Sequence, residues 1–508
     1  MSTDTVSTAV TRDGDPGGTA TEVITIDQTT GAEFASYLVA GAAEARQAVD
    51  IARANTGPWW EFGFAGRAER LSAWRLDIAR GGEELAHLIH AENGKSLEDG
   101  RAEVLAALGH LSFVIDNAER VLGVHPVEVP PTMSHQDAWV EHLPYGVVGV
   151  IGPWNFPLGT PGAIVIHALA AGNAVILKPS QITPGVAEWL ARSWERAVPD
   201  VPGALQTLNG YAATGQALIA AGLDKVAFTG SVASGRAVAA ACASTLTPML
   251  LELGGNDGVV VAADADLDLA AARITWGALQ NTGLGCISLE VAYVVDEVHD
   301  ALVQKISALA ARVHAGSGVG DPIGPVPLPG QIPVIQEHIR DALARGATAA
   351  VGGSITGDSR YVQPTILVDV PPDALAATEE TFGPVLTVVR VRDVDEAVER
   401  INDGPYGLGS AVFSRDHGVA LARRLRVGMT SVNDALAFSQ IPALPFGGRG
   451  DSGFGRKHGD EGLREFAYPH AISVRTGAAP APATAFDRPP GAMAAALTAV
   501  RDRLEGRR

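Results

Sequence analysis

Between Tyr145 and Ser244, short Val/Ile/Leu runs alternate with helical stretches, and no other feature of this 508-residue chain restricts its fold as tightly. "GVVGVIGPW" reads as a strand and turn, "GAIVIHALAAG" as a helix and "NAVILKPS" as a buried strand. A helix ("PGVAEWLARSWERAV"), a strand ("ALQTLNG"), a short helix ("GQALIAAG"), a strand ("DKVAFTG") and a helix ("SVASGRAVAAACAS") follow. This alternation implies a parallel, doubly wound sheet, which takes ligands at the carboxyl ends of its strands. A second alternation runs from Gly258 to about Phe413, through "GVVVAAD", "VAYVVDEV", a helix from Asp300 to Val313 and "LTVVRVRDVDEAVERIND", and predicts a second α/β domain. From Gly41 to about Val121, Leu and Ile recur at three-four intervals, a helical pattern.

Charge and cysteine content exclude several function classes. With 38 Lys and Arg against 57 Asp and Glu, the net charge is −19, unsuited to nucleic acid or to an anionic membrane surface. Two cysteines, Cys242 and Cys286, make no disulfide framework and suit a reducing cytoplasm. The 13 histidines show no metal-ligand spacing, so no metal is expected. Residues 1–22 carry neither a basic leader nor an apolar run and read as a floppy tail. The charge-free stretch between Glu141 and Lys178 is broken by Pro153, Pro157 and Pro161, so buried core is expected there instead of a membrane span. The Ala/Pro-rich tail from Thr476 ends in a short helical pattern.

Five segments carry potential chemistry. In "DKVAFTGSVASGR", Gly230 and Gly235 flank a strand-to-helix turn where backbone N–H groups could meet a phosphate; without the full three-glycine fingerprint, the pattern alone favours a plain turn. Cys286 in "NTGLGCISLE" follows two glycines, off any apolar helix face, whereas Cys242 in "AVAAACAS" reads as a small buried hydrophobe. Glu252 in "MLLELGGND" lies in an apolar strand. There it is either one half of a salt bridge or a desolvated general base. Asn155 in "IGPWNFP" is a turn cap or an oxyanion donor. Lys178 in "LKPSQITP" ends a buried strand, as a surface lysine or as a ligand for ribose or phosphate.

Taken in order, IGPWNFP, LKPS, FTGS, ELGG, the Gly-x-Gly-Cys turn, "EETFGPV", "YGLGSAVF" and "LPFGGRGDSGFGRKHGDEGLREF" resemble the aldehyde dehydrogenase superfamily, from about Ala42 to Val474. "CISLE", "EETFGPV" and "GRKHGDEGL" are similar to its succinate-semialdehyde dehydrogenase-like branch. The resemblance implies an α/β fold with a Rossmann-type NAD(P)-binding domain (23–122 and 145–253), a catalytic α/β domain (254–465) and a small β oligomerisation extension (123–144 and 466–476), the last used for a homodimer or homotetramer. Tails at 1–22 and 477–508 lie outside these. It implies Cys286 as nucleophile, Glu252 as the base that activates water, and Asn155 with the Cys286 amide as oxyanion donors. Lys178 stands in both the catalytic and the cofactor-binding sets. Trp154, Ser180, Gln181, Gly230, Ser231, Leu253, Glu380 and Phe382 complete the cofactor contacts.

The implied reaction is thiolate attack on an aldehyde, hydride loss to NAD or NADP, and hydrolysis of the resulting thioester to an acid. Gln181 stands where the family often has Glu. Losing that carboxylate removes repulsion of a 2′-phosphate and points to dual or NADP-leaning use. Asn256, Leu284 and Gly450 also depart from common residues. The loop 434–444 near the implied substrate entrance has no Lys or Arg, which favours an apolar or aromatic aldehyde over a semialdehyde acid. Two other readings remain. CoA-acylating oxidation would not need Glu252, and a silent scaffold would not need Cys286, Glu252 and Asn155 together.

Overall fold

A computed structural model describes residues 20–506 apart from 319, 355–359, 479–485 and 487. Residues 1–19 of the expected N-terminal tail lie outside the described residues. The chain is ordered from before the expected boundary, because Glu22–Ile26 pairs antiparallel with Glu33–Leu38. Four helices follow, at Ala42–Glu61, Gly63–Arg80, Gly82–Asn93 and Leu97–Leu122. Local signals set their ends: the Glu44 carboxylate accepts from Gly41 N at 2.9 Å, and Ser96 Oγ accepts from Asp99 N at 3.1 Å.

The first sheet has six strands. Leu205–Thr207, Ala174–Lys178, Val147–Ile151, Lys225–Thr229 and Met249–Glu252 run parallel in that spatial order, and Gly453–Phe454 closes the edge antiparallel. Strand order reverses about Val147–Ile151, so the switch-point crevice opens between Ile151 and Thr229. These strands are buried on both faces and read as continuous apolar runs for that reason. Trp59, Trp74 and Trp194 pack edge to face in the same core, with centroids 5.2–5.3 Å apart.

The second sheet has seven strands, with Thr365–Val368, Val385–Val391, Leu289–Val295, Asp257–Val261, Ser410–Phe413 and Ser431–Val432 parallel and Thr348–Val351 antiparallel at one edge. Of the segment "VAYVVDEV" the strand Leu289–Val295 takes the part up to Val295, and the helix expected from Asp300 to Val313 runs Asp296–Ala310. Asp296 and Glu297 favour the helix N-terminus electrostatically, which moves the boundary four residues earlier. A three-stranded sheet joins His125–Pro126, Gln136–Pro144 and Ala467–Arg475. Its last strand spans Ala467–Arg475, with pairing unbroken from Ala467 opposite Pro144 to Arg475 opposite Gln136. The final helix spans Ala492–Glu505. Among the described residues no helix is long and apolar enough to cross a membrane.

Candidate active site

The carboxyl ends of the first sheet face the amino ends of the second. Leu253–Asn256 is the short link between Met249–Glu252 of one and Asp257–Val261 of the other. Cys286 lies just before Leu289–Val295, and Glu380 and Phe382 just before Val385–Val391.

The nucleophile turn is strained. Asn281, Thr282 and Gly283 all have left-handed backbone (φ 48°, 59° and 65°). Asn281 Nδ2 donates to Asn155 O at 2.9 Å, and Thr282 Oγ1 donates to Gly324 O at 3.0 Å, which hold the two non-glycine residues there. A Cβ at Gly283 would overlap the Gly383 carbonyl, so only glycine lets this turn meet the Glu380–Phe382 loop. Leu284 and Ile287 are buried beside Cys286, and the thiol packs partly against the second core; the surroundings are more apolar than a polar turn.

Asn155 Nδ2 donates one hydrogen to Leu284 O at 2.9 Å, two residues before Cys286. Behind it, Lys95 Nζ donates to Asn155 O at 2.8 Å and pairs with Glu103 at 2.5 Å. Glu103 in turn accepts from Leu158 N and Gly159 N at 3.1 and 2.7 Å. Sequence reading missed this buried support, since Lys95 and Glu103 lie in a helical region with no turn or motif to mark them.

Glu252 is 2 % exposed, and neither carboxylate oxygen has a hydrogen-bond partner among the described residues. A salt bridge does not explain its burial. Desolvation pushes its carboxyl up to about 8, opposed by Lys457 and Arg456 and reinforced by Glu465. Burial likewise pushes the Cys286 thiol up to about 12. Lys457 opposes that rise, and Glu252, Glu380 and Asp257 add to it. Glu380 accepts from Gly255 N at 2.9 Å and is pushed up to about 7 by burial. A Cβ at Gly255 would stand 2.5 Å from the Cys286 carbonyl, so the Gly254–Gly255 link packs directly on the turn. Sequence reading also missed Asp257 and Glu290. Glu290 accepts from Thr381 N and Phe382 N at 2.7 and 3.0 Å, and Asp257 from Gly409 N at 3.0 Å. Their only sequence signal is an acid at the start of an apolar strand.

Of the expected cofactor residues, Lys178, Ser180, Gln181, Gly230, Ser231 and Leu253 lie at or just beyond strand ends of the first sheet. Lys178 is buried at its strand end and Ser180 Oγ accepts from Ile182 N at 3.3 Å, with Gln181 half-buried beside it. Gly230 N donates to Glu252 O at 3.1 Å, and Ser231 caps Val232–Ala243 by accepting from Ser234 N at 3.3 Å. Leu253 packs against Gly235 on that helix. Trp154 and Phe382 meet edge to face, centroids 5.7 Å apart. No group of three or more His, Cys, Asp or Glu is placed to hold a metal ion among the described residues.

Residues 16–472 match the aldehyde dehydrogenase family. The chain is 37 % identical over 416 residues to the 4,4'-diapolycopene aldehyde oxidase of Methylomonas sp, covering 81 % of this chain and 78 % of that protein. It is 34 % identical over 445 residues to the glutarate-semialdehyde dehydrogenase of Pseudomonas aeruginosa, covering 86 % and 91 %. The lactaldehyde dehydrogenase structure from Escherichia coli superposes with a TM-score of 0.85 at 27 % identity, covering 90 % and 96 %. The motifs in order, two facing parallel sheets and matches over most of each chain's length together show that this protein belongs to the aldehyde dehydrogenase family, enzymes whose general reaction is NAD(P)-dependent aldehyde oxidation.

Proposed function

We propose that this enzyme oxidises apolar or aromatic aldehydes to carboxylic acids, with Cys286 as nucleophile, Asn155 as oxyanion donor and Glu252 as the base for hydrolysis. The observation that carries this reading is the unpaired, fully buried Glu252 carboxylate beside the Cys286 turn. Such a group is costly unless it is used, and desolvation brings its proton affinity to the working range of a general base.

The Cys286 sulfur adds to the aldehyde carbon, and the negative charge moves to the former carbonyl oxygen. Asn155 spends one amide hydrogen on Leu284 O, which fixes the side chain and leaves the second for that oxygen. Loss of a hydride from that carbon, to the acceptor a bound cofactor would supply, leaves a thioester; Glu252 takes a proton from the water that attacks the acyl carbon, the carbon–sulfur bond breaks, and the acid leaves as Cys286 regains its proton.

The switch-point crevice suits a dinucleotide. Gly230 and the N-terminus of the 12-residue helix Val232–Ala243 would hold the pyrophosphate, and Thr229 Oγ1 is buried there without a partner among the described residues. Lys178, Ser180 and Gln181 would hold the adenosine ribose, Leu253 and Trp154 the flanking surface, and Glu380 and Phe382 the nicotinamide end. When bound, the cofactor supplies the hydride acceptor. The neutral Gln181 supports use of NADP as well as NAD.

The loop 434–444 supports an apolar substrate. Ala435, Leu436 and Phe438 are buried in it, Phe438 meets Phe446 at 6.4 Å, and Ile441 and Leu444 face outward. Arg273 reaches this loop, but Asp434 takes up its charge at 3.3 Å. The exposed three-stranded sheet supports assembly as a homodimer or homotetramer. An aldehyde panel assayed with each cofactor, with products identified with and without CoA, tests the reading. Free acid without CoA and faster turnover of apolar aldehydes are expected; acyl-CoA as the only product, or a preference for semialdehyde acids, would overturn it.

A further inference from the structure

Lys457 is a buried cation to which the reaction above gives no role. Its backbone exchanges hydrogen bonds with Phe446, N to O at 2.8 Å and O from N at 2.6 Å. The residue is 3 % exposed, and Nζ lies over the Phe446 ring, 4.2 Å from its centroid. Two other buried lysines have carboxylates in contact, Lys95 with Glu103 at 2.5 Å and Lys225 with Glu465 at 2.7 Å. Lys457 has no carboxylate within 4 Å among the described residues. A buried ammonium without a contacting anion is costly, so its compensation has to come from charges a little further off.

The acids on which its own charge acts most are the reacting groups. Gly447 follows Phe446 directly, and a Cβ built there would stand 2.8 Å from Glu252 Oε1. One line of chain, Phe446–Gly447, therefore carries Lys457 against its first residue and Glu252 against its second. Lys457 is also the strongest opposite charge acting on both Glu252 and Cys286. The other groups facing this line are otherwise engaged or work the opposite way. Arg456 is tied to the Gly448 and Gly455 carbonyls at 2.8 and 2.6 Å. Glu465, Glu380 and Asp257 all disfavour a further negative charge at one or other reacting group. His110, His167 and His458 form a ring cluster with centroids 4.0–6.1 Å apart, and burial holds all three neutral.

We propose that Lys457 is a positioning cation for the reaction: its ammonium, held over the Phe446 ring, is the shared counter-charge for whichever of Cys286 and Glu252 is ionised. A contact ion pair would immobilise one acid and leave the other unsupported. A point charge beyond contact range acts on both and blocks neither. The proposal rests on the roles assigned above to Cys286 and Glu252.

The test uses Lys457→Met, Lys457→Gln and Lys457→Arg in the full-length enzyme, with cofactor binding as the folding control. The first readout is iodoacetamide alkylation at pH 8 without cofactor, with Cys286→Ala giving the Cys242 background. The second is the pH profile of aldehyde turnover. Both neutral variants should alkylate Cys286 about tenfold more slowly, one unit up in pKa being tenfold less thiolate. Their turnover profile should shift about one pH unit upward, so that loss at pH 7 is regained at high pH. Lys457→Arg should restore both. If cofactor-binding Met or Gln variants keep the parental alkylation rate and pH profile, or if Arg behaves like Met, the proposal is overturned. Parental turnover in Cys286→Ala would remove the nucleophile assignment beneath it, a separate failure.

Discussion

The two parallel sheets obey the same packing rules and present opposite ends to the site. In the first, the chemistry sits where strands end: Lys178, Thr229 and Glu252 are each the last residue of a strand. In the second it sits before or at the start of strands: Cys286 before Leu289, Glu380 before Val385, and Asp257 as the first residue of its own strand. The carboxyl-end rule for α/β sheets locates ligands well in the first and would have looked at the wrong edge of the second. The contrast also divides the labour. The first sheet offers backbone N–H groups, an exposed capped helix start and the buried Glu252 carboxyl; the second offers strained turns and the carboxyl groups of Asp257, Glu290 and Glu380.

That contrast can be broken by substitution. Cys286→Ala should reduce NAD(P)H formation by a factor on the order of 10⁴ or more while cofactor still binds. Cys242→Ala, in the first core, should keep full activity and cost about 1 kcal/mol of stability, read by denaturant unfolding. Asn155→Ala should lower kcat about 10²- to 10³-fold with little change in cofactor affinity, since only the developing oxyanion loses a donor. Glu252 sharpens the comparison through pH. A base works only when deprotonated, and with its carboxyl at about 8, turnover should climb from pH 7 to 9 and fall away in acid. Glu252→Gln should abolish that limb and let the acyl–enzyme accumulate, visible as a mass increase on the intact protein. A small effect on catalysis is expected at the helix start beside the first sheet: Ser231→Ala removes a helix cap worth about 1 kcal/mol and should raise the cofactor KM with kcat unchanged.

Much of the first sheet was legible because its strands are buried on both faces and read as unbroken Val/Ile/Leu runs between turn residues. The start of the helix at Asp296–Ala310 was placed four residues late because its acidic first turn continues "VAYVVDEV" in sequence and is favoured as helix only once the dipole is present. Asn155, Glu252 and Cys286 stood out as polar or reactive groups in apolar or glycine-bounded segments. Lys95, Glu103, Asp257, Glu290 and Lys457 did not, because each has meaning only through a partner distant in sequence: Glu103 supports a turn 55 residues away, and Glu290 holds a loop 91 residues away.

The sequence by itself determined the element types, the parallel α/β class and the order of the chemical motifs, since periodicity and glycine placement are local properties. Only the tertiary structure decided that Glu252 goes without a partner among the described residues, that the Cys286 turn is held in left-handed backbone against the Glu380 loop, and that the charge of Lys457 acts on two acids. Desolvation and Coulomb interaction depend on what surrounds a group in space, and that is fixed only when the two sheets are brought face to face.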